Sequence, residues 1–253
     1  MHAYEGGSHG VFMAEPRVRT AVEVSMTNNV DPSAFVGEGV KLGTGNTVGP
    51  YAVLLGPCEI GNDNWIAPHA VVGTPGGHRD HPHPATWAGE TGGLGVVIGD
   101  RNRIREHTKV AQGLLSGPTR IGSDCLVMSG AVIGDGAVLE DGIQISANVV
   151  VGGESRIWSR SYLGMGAMIR PHTLIGPLSL VCMGAVVLGD VGAAAKHLGN
   201  PATTVGANVS GLRHWGCGER AIATLHGYVA GTSGIPDGLP DDVSQLLARW
   251  DAR

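Results

Sequence analysis

The sequence predicts an all-β solenoid, a parallel β-helix of hexapeptide repeats with a short α-helical C-terminal cap. Aliphatic residues recur at every sixth position, a period that fits neither an α-helix of 3.6 residues per turn nor a half-buried strand of period two. The 253 residues include 42 glycines without a three-residue period, which suits a chain that turns every few residues. Aromatic residues (4%) and charged residues (15%) are scarce, so stacked aliphatic ladders are expected to supply the core.

The repeat falls into three blocks that are separated by two interruptions. The repeat positions are Val36, Leu42, Val48, Leu54, Ile60, Ile66 and Val72, then Ile98, Ile104 and Val110, then Ile121, Val127, Ile133, Leu139, Ile145, Val151, Ile157, Leu163, Ile169, Ile175, Val181 and Val187. If three hexads make one coil, residues 18 apart stack about 4.8 Å above one another. If neither interruption contains a further hexad, Val72, Val110, Ile133, Val151, Ile169 and Val187 share one face. Both interruptions should therefore leave the solenoid at the same corner.

The periodicity divides the chain into three parts. The predicted parts are an N-terminal arm or added strand (1–29), the β-helix (30–191) with projecting loops at 73–97 and 111–120, and a C-terminal linker and helical cap (192–253). Within the cap, helical spacing covers residues 212–229 and 241–250. Helices after a solenoid commonly cover its hydrophobic end.

Composition narrows the class of protein. A net charge of −5 argues against general nucleic-acid binding. No apolar run is long enough to span a membrane, and the first residues lack the order of a signal peptide. The four cysteines show no metal-like spacing, and Cys58 and Cys125 occupy the small-residue slot of their hexads. We therefore expect structural thiols in a cytoplasmic protein.

Titratable residues gather at the corner from which both loops leave. Two or three residues after each aliphatic of the shared face come Gln112, Asp135, Glu154, His172 and Asp190. His107 lies at the facing edge of the strand that contains Val110. Carboxylates and imidazoles stacked in this way are candidates for general acid–base catalysis, with Asp135, His172, Glu154 and His107 as the predicted catalytic residues. The alternative is that solvent-facing turns simply attract Asp and Glu.

The first loop contains the segment HRDHPH, with His78, Asp80 and His81 as candidate substrate contacts. Clustered imidazoles also suit zinc, but proline-rich loops restrict inward folding and the coils show no histidine trio at strand spacing. We therefore predict no metal site. A solvated loop is the remaining alternative.

Several segments resemble the UDP-N-acetylglucosamine O-acyltransferase family of lipid A biosynthesis. They are residues 98–106 (IGDRNRIRE), 199–202 (GNPA) followed by Gly206, Asn208 and 211–213 (GLR), and the loop pieces 73–75 (GTP) and 87–91 (WAGET). The similarity covers most of the chain and keeps the order of loops and tail. It implies a left-handed β-helix, a homotrimer with sites between subunits, and acyl-carrier protein as the acyl donor. By resemblance, Asn200, Arg213 and His214 could contact acyl-donor or nucleotide groups.

The departures from this family concern the residues expected to react. Val132 and Asp135 stand where the family motif A-H-[IV]-A-H-D has its two histidines, Glu154 and Arg170 replace two more, and His214 with Trp215 replaces an arginine pair. Three interpretations stay open. Asp135 is the base, although a carboxylate is a weak base for a hydroxyl at neutral pH; another chemistry uses the pocket; or the chain is a catalytically inactive binding or scaffold relative.

The first interpretation gives the predicted function. It is transfer of an acyl group from an acyl-carrier-protein or coenzyme A thioester to a hydroxyl or amine of a sugar or sugar nucleotide, with no bound cofactor. Asp135 would take the acceptor proton, with His172 and Glu154 tuning it. Backbone N–H groups of Gly134 or Gly136 would stabilise the oxyanion, Arg170 would contact substrate, and the first loop would exclude water.

Overall fold

The computed structural model describes residues 27–79 and 93–253, which form a left-handed parallel β-helix with a short C-terminal helical region, as predicted. Each coil contributes one short strand to each of three sheets. Counted over the described residues, the first sheet contains β1 (Asn29–Val30), β4 (Thr47–Val48), β7 (Trp65–Ile66), β10 (Arg103–Ile104), β13 (Leu126–Val127), β16 (Gln144–Ile145), β19 (Tyr162–Leu163), β22 (Leu180–Val181), β24 (Ala195–Gly199) and β25 (Ala202–Ala207).

The second and third sheets follow the same stacking. The second contains β2 (Phe35–Val36), β5 (Val53–Leu54), β8 (Val71–Thr74), β11 (Lys109–Ala111), β14 (Val132–Ile133), β17 (Val150–Val151), β20 (Met168–Ile169) and β23 (Val186–Val187). The third contains β3 (Val40–Leu42), β6 (Cys58–Ile60), β9 (Val96–Ile98), β12 (Thr119–Ile121), β15 (Val138–Leu139), β18 (Arg156–Ile157) and β21 (Leu174–Ile175).

The turns between the sheets define three corners, which we name for what they carry. The ring corner joins the first sheet to the second, the loop corner joins the second to the third, and the tail corner joins the third back to the first. Val72 pairs with Val110, Val110 with Ile133, and the same register continues to Val187. The predicted shared face is therefore confirmed, and both interruptions of the repeat leave from the loop corner.

The repeat positions form the core. Leu54, Ile66, Ile104, Ile133 and Ile145 are each fully buried, and together with their neighbours they make one continuous aliphatic cluster. Burial of one such side chain is worth about 1.5–3 kcal/mol, so the ladders supply the hydrophobic stabilisation that the scarce aromatics do not. The first described coil is less covered, since Val36 is 40% exposed.

An asparagine ladder marks the tail corner. The side-chain amide of Asn46 donates to Asn28, Asn64 donates to Asn46, and Asn102 donates to Asn64, at 3.0–3.2 Å. The last amide oxygen accepts the backbone N–H of Cys125 at 2.8 Å. Asn46, Asn64 and Asn102 are fully buried, and this ladder satisfies them from coil to coil.

The C-terminal region begins with the antiparallel hairpin β24–β25 and continues with α1 (Val209–His214), α2 (Glu219–Val229) and α3 (Asp241–Asp251). The single helix predicted over residues 212–229 is two helices, because Gly216 takes a left-handed φ of 79° after α1. Trp250 of α3 packs edge-on against Trp158 of the solenoid, with ring centroids 5.2 Å apart. The helices therefore lie against the tail corner of the later coils, where they form a second apolar cluster.

Candidate functional site

The bases of the two loops are joined at the loop corner. Gly95, at the exit of the first loop, bridges Gly113 of the second, and its carbonyl accepts from the N–H groups of Gly113 (3.0 Å) and Thr119 (3.1 Å). Leu94 donates to the carbonyl of Gly113 at 2.8 Å. At the entrance of the first loop, Gly76 leaves the room that the side chain of Leu114 occupies. The two loops therefore share a foundation.

Below the loops, the predicted catalytic residues occupy two different turn positions. Asp135 is the second residue after its buried aliphatic, whereas Glu154 and His172 are the third and adopt left-handed φ values of 57° and 58°. The backbone N–H of Glu154 donates to the carbonyl of Asp135 (2.8 Å), and that of His172 to Gly153 (3.0 Å). The structure thus brings Asp135, Glu154 and His172 to one corner, in three successive coils.

Asp135 and His172 are accessible, whereas part of Glu154 is enclosed. Asp135 is half-buried and His172 exposed. A side chain at Gly153 would lie only 3.1 Å from Oδ1 of Asp135, so this glycine makes room for the carboxylate. Glu154 accepts a hydrogen bond from the hydroxyl of Ser116 in the second loop. Its other oxygen, Oε1, is buried and has no hydrogen-bond partner among the described residues.

The expectation that Gly134 or Gly136 supplies an oxyanion donor is wrong for this conformation. The N–H of Gly134 donates to the carbonyl of Val151 at 2.9 Å, within the ladder of the second sheet. The N–H of Gly136 donates to Oγ1 of the buried Thr119, also at 2.9 Å. Since each amide has a single hydrogen, neither is available to a ligand.

Arg170 and Asp190 complete the corner. The guanidinium of Arg170 is exposed and donates to the carbonyl of Leu188 at 3.3 Å, one coil further on. The carboxylate of Asp190 accepts the N–H of Leu174 at 2.9 Å. Arg170 therefore lies at the same corner as His172 and is bonded to the next coil, while Asp190 is committed to a turn.

His107 lies at the opposite end of its strand, at the ring corner. Its imidazole stacks on His69 (centroids 5.2 Å apart, planes within 5°), and His69 stacks on Tyr51 (5.3 Å, 12°). The structure therefore does not bring His107 to Asp135 within one copy of the chain, and the catalytic role of His107 stays a prediction. The sequence carries one signal for this ring stack, because Tyr51 lies 18 residues before His69.

The remaining candidates lie elsewhere. Asn200 is exposed at the tip of the β24–β25 hairpin. On α1, Arg213 pairs with Glu219 (Nη2–Oε2 2.8 Å), and this hydrogen bond raises the pKa of the guanidinium. His214 packs edge-on against Trp215, with centroids 5.0 Å apart. His78 is exposed, and Asp80 and His81 lie outside the described residues.

One cavity lies away from the loop corner. It has a volume of about 580 Å³ and is formed between α3 and the tail corner, with Arg160 stacked on Trp215 at 4.4 Å along its wall. None of the predicted site residues lines it. Within residues 27–79 and 93–253, no cluster of His, Cys, Asp and Glu is arranged to hold a metal ion. No helix in that part of the chain is long and apolar enough to cross a membrane.

The cysteines occupy the structural positions that the repeat predicts. Cys58 and Cys125 are buried, at 1% and 2% exposure, and neither forms a disulfide. Burial raises the pKa of each thiol to about 12. These thiols therefore stay protonated and act as small apolar groups in the core.

Part of the chain matches a known protein family. Residues 118–153 match the family "Bacterial transferase hexapeptide (six repeats)". An acyl-[acyl-carrier-protein]–UDP-N-acetylglucosamine O-acyltransferase of Burkholderia thailandensis is 30% identical over 132 residues, which are 51% of this chain and 50% of that protein. The matched part of the chain thus spans about half the length of these curated relatives.

Solved structures extend the match beyond the repeat. LpxA from Acinetobacter baumannii is 26% identical with a TM-score of 0.63, over 88% of this chain and 89% of that one. The chain resembles the UDP-N-acetylglucosamine O-acyltransferases. The UDP-N-acetylglucosamine acyltransferase from Campylobacter jejuni shares the fold at 18% identity, with a TM-score of 0.74 over 90% of this chain and 92% of that one. The predicted resemblance to these acyltransferases is confirmed.

Four of the substitutions relative to the acyltransferase family fall in one place, whereas His214 and Trp215 lie at the end of α1. Val132 points outward from β14, and Asp135, Glu154 and Arg170 follow in the turns of three successive coils. All four therefore lie at or beside the loop corner, while the buried repeat positions keep their aliphatic character. The chemistry offered there is carboxylate, imidazole and guanidinium, in place of a set of histidines.

Proposed function

We propose that the chain transfers an acyl group from an acyl-carrier-protein or coenzyme A thioester to a hydroxyl or amine of a sugar nucleotide. The observation that carries this proposal is the placement of Asp135, Glu154, Arg170 and His172 at the loop corner, in the coils that follow the bases of both loops. Relatives named for acyl transfer from acyl-carrier protein to UDP-N-acetylglucosamine support the classes of donor and acceptor.

Asp135 is the base in this mechanism because its carboxylate is accessible and at the centre of the corner. It accepts the proton of the acceptor O–H or N–H as that atom attacks the thioester carbonyl. The new C–O or C–N bond forms, the C–S bond breaks, and the thiolate leaves and takes up the proton. An amine acceptor needs the least help, since a carboxylate is a weak base for a hydroxyl.

Charge stabilisation in the transition state falls to side chains. The amides of Gly134 and Gly136 are occupied, whereas Arg170 and His172 present N–H donors at the same corner. A hydrogen-bond donor held in place before reaction stabilises a developing oxyanion more than water does. We therefore assign this role to Arg170 or His172.

A homotrimer would enclose the site. The corner of a solenoid is convex, while substrate sites are concave, so the loop corner needs a second surface. The outer face of the adjoining second sheet is mostly apolar, with Phe35 42%, Val150 38% and Met168 54% exposed and Lys109 as its exposed charged residue. Contact with further copies of the chain would cover this face and close the site between subunits.

Mass spectrometry tests the proposal. The purified protein is incubated with acyl-carrier-protein and coenzyme A thioesters and with sugar nucleotides, amino sugars included. We expect an acylated product, and we expect Asp135→Asn to lower its rate by about 100-fold or more, as for loss of a general base. Asp141→Asn, an exposed carboxylate in a tail-corner turn, is the matched control and should retain the rate.

Two results would contradict the proposal. Equal rates for Asp135→Asn and the control would remove Asp135 as base. Absence of product with every donor, combined with a nucleotide-induced rise in melting temperature, would favour the alternative of a catalytically inactive binding protein. Native mass spectrometry of the same sample gives the number of subunits.

A further inference from the structure

The contact between Ser116 and Glu154 crosses an entire coil. Ser116 belongs to the loop that follows β11, whereas Glu154 lies after β17, and the strand between them is β14. Side chains at a β-helix corner ordinarily meet the coil directly above or below, about 4.8 Å away. A bond from the loop to Glu154 therefore needs the intervening coil to leave space.

Gly136 provides that space. It occupies the same turn position as Glu154, one coil earlier, and takes a φ of 67°. A Cβ at this position would collide with Oε1 of Glu154, so the carboxylate lies where a side chain of residue 136 would be. The N–H of the same glycine donates to Thr119, where the loop ends. Gly136 therefore supports both sides of the contact, because it leaves space for Glu154 and bonds Thr119 at the end of the second loop.

Holding Ser116 also restrains the described ends of the first loop. The second loop doubles back so tightly that a Cβ at Gly113 would meet the carbonyl of Gly117, and Gly113 is hydrogen-bonded on both sides to the exit of the first loop. Leu114 covers Gly76 at the entrance. A restraint on Ser116 is therefore transmitted to the bases of both loops through these contacts.

We propose that Glu154 is a positioning residue, which holds the second loop, and with it the described base of the first loop, at the loop corner through its hydrogen bond with Ser116. This assignment replaces the expected tuning of Asp135, because Glu154 directs its carboxylate at the loop and contacts Asp135 through the backbone. The role of Glu154 in holding the loop does not depend on the activity of the chain, whereas the expected effect on KM rests on the proposed acyl transfer.

Hydrogen–deuterium exchange of the whole protein tests the positioning role. In Ser116→Ala we expect the amides of Gly113 and Thr119 to exchange about tenfold faster, since a bond to a carboxylate that restrains the loop is lost. Ser116→Thr keeps the hydroxyl and should restore the native rate. Glu154→Ala should match Ser116→Ala, and the double variant should add nothing further.

The ring corner offers a matched control. Ser129 donates to the carboxylate of Glu106 at 2.7 Å, also between coils, and is remote from the loops. Ser129→Ala should leave exchange at Gly113 and Thr119 unchanged. Unchanged exchange in Ser116→Ala, or equal acceleration by Ser129→Ala, would overturn the proposal.

Kinetics separate the two proposals. If the chain is an acyltransferase, Ser116→Ala should raise KM for the acceptor with little change in kcat, because the proposed role of the loop is to contact the acceptor and not to react. A lower kcat at unchanged KM would overturn the positioning role. A wild-type protein without turnover would defeat the proposed function, while the exchange experiment would still decide the role of Glu154.

Discussion

The ring corner and the loop corner share one turn conformation, but their side chains make different contacts. At the ring corner Tyr51, His69 and His107 take left-handed φ values of 56–60°, and their rings stack from coil to coil. At the loop corner Glu154 has the same φ, but the coil before it carries Gly136. Its side chain therefore reaches past its neighbour to a loop. At the ring corner, a continuous stack links neighbouring coils. At the loop corner, the absence of a side chain at Gly136 lets Glu154 contact Ser116 of the second loop.

The largest expected difference between the corners concerns two threonines at equivalent positions. Thr119, after the loop corner, accepts the buried N–H of Gly136 at 2.9 Å, whereas Thr108, after the ring corner, donates to the carbonyl of Met128 at 3.3 Å. Thr119→Val leaves a buried donor unsatisfied and should cost about 1–3 kcal/mol in the free energy of unfolding.

Thr108→Val should cost less, because the carbonyl of Met128 also accepts the N–H of Ala131. Urea unfolding at fixed protein concentration measures both variants. Equal losses in the free energy of unfolding for Thr119→Val and Thr108→Val would show that the hydrogen bond from Gly136 to Thr119 matters no more than the one from Thr108 to Met128.

The ring stack should show a smaller effect. His69→Ala removes contacts with two rings, and we expect a loss of about 1 kcal/mol. His172→Ala is the matched change at the loop corner, because His172 has nearly the same φ and no ring contact within residues 27–79 and 93–253. Backbone strain is then common to both variants, and His172→Ala should lose less by urea unfolding. A larger loss in His172→Ala would show that the stack contributes nothing.

The smallest effect depends on pH. Hydrogen bonds from Arg105, and then from Ser129, lower the pKa of Glu106 from 4.5 to about 2. A lowered pKa stabilises the fold above the unfolded-state value and loses that contribution as pH falls toward 2. The partly exposed pair should contribute about 0.5–1 kcal/mol.

Glu106→Gln should therefore be less stable than wild type at pH 6, and the gap should close between about pH 4.5 and 2. Urea unfolding of both proteins across this range gives the gap. A constant gap would assign the effect to packing rather than to charge.

The sequence predicts the scaffold because a solenoid repeats one local rule. Counting three hexads per coil, with the loop residues left out of the count, places Val110, Ile133 and Val151 on one face and so predicts the corner from which both loops leave. The side-chain contacts were out of reach, since Asp135 and Glu154 differ by one turn position and the left-handed φ at the second of these sets the direction of the side chain. Likewise the tail reads as one helix over residues 212–229, because helical spacing does not register the reversal at Gly216.

The asparagine ladder has a consequence for how this chain changes length. Asn64 and Asn102 are 38 residues apart in sequence, yet their amides meet at 3.0 Å, as do those of Asn46 and Asn64, which are only 18 apart. The asparagines therefore keep neighbouring coils aligned at the tail corner, whether or not residues are inserted at the loop corner between them. We therefore expect a change in the length of either loop to leave the register of the coils between Asn28 and Cys125 intact at the tail corner.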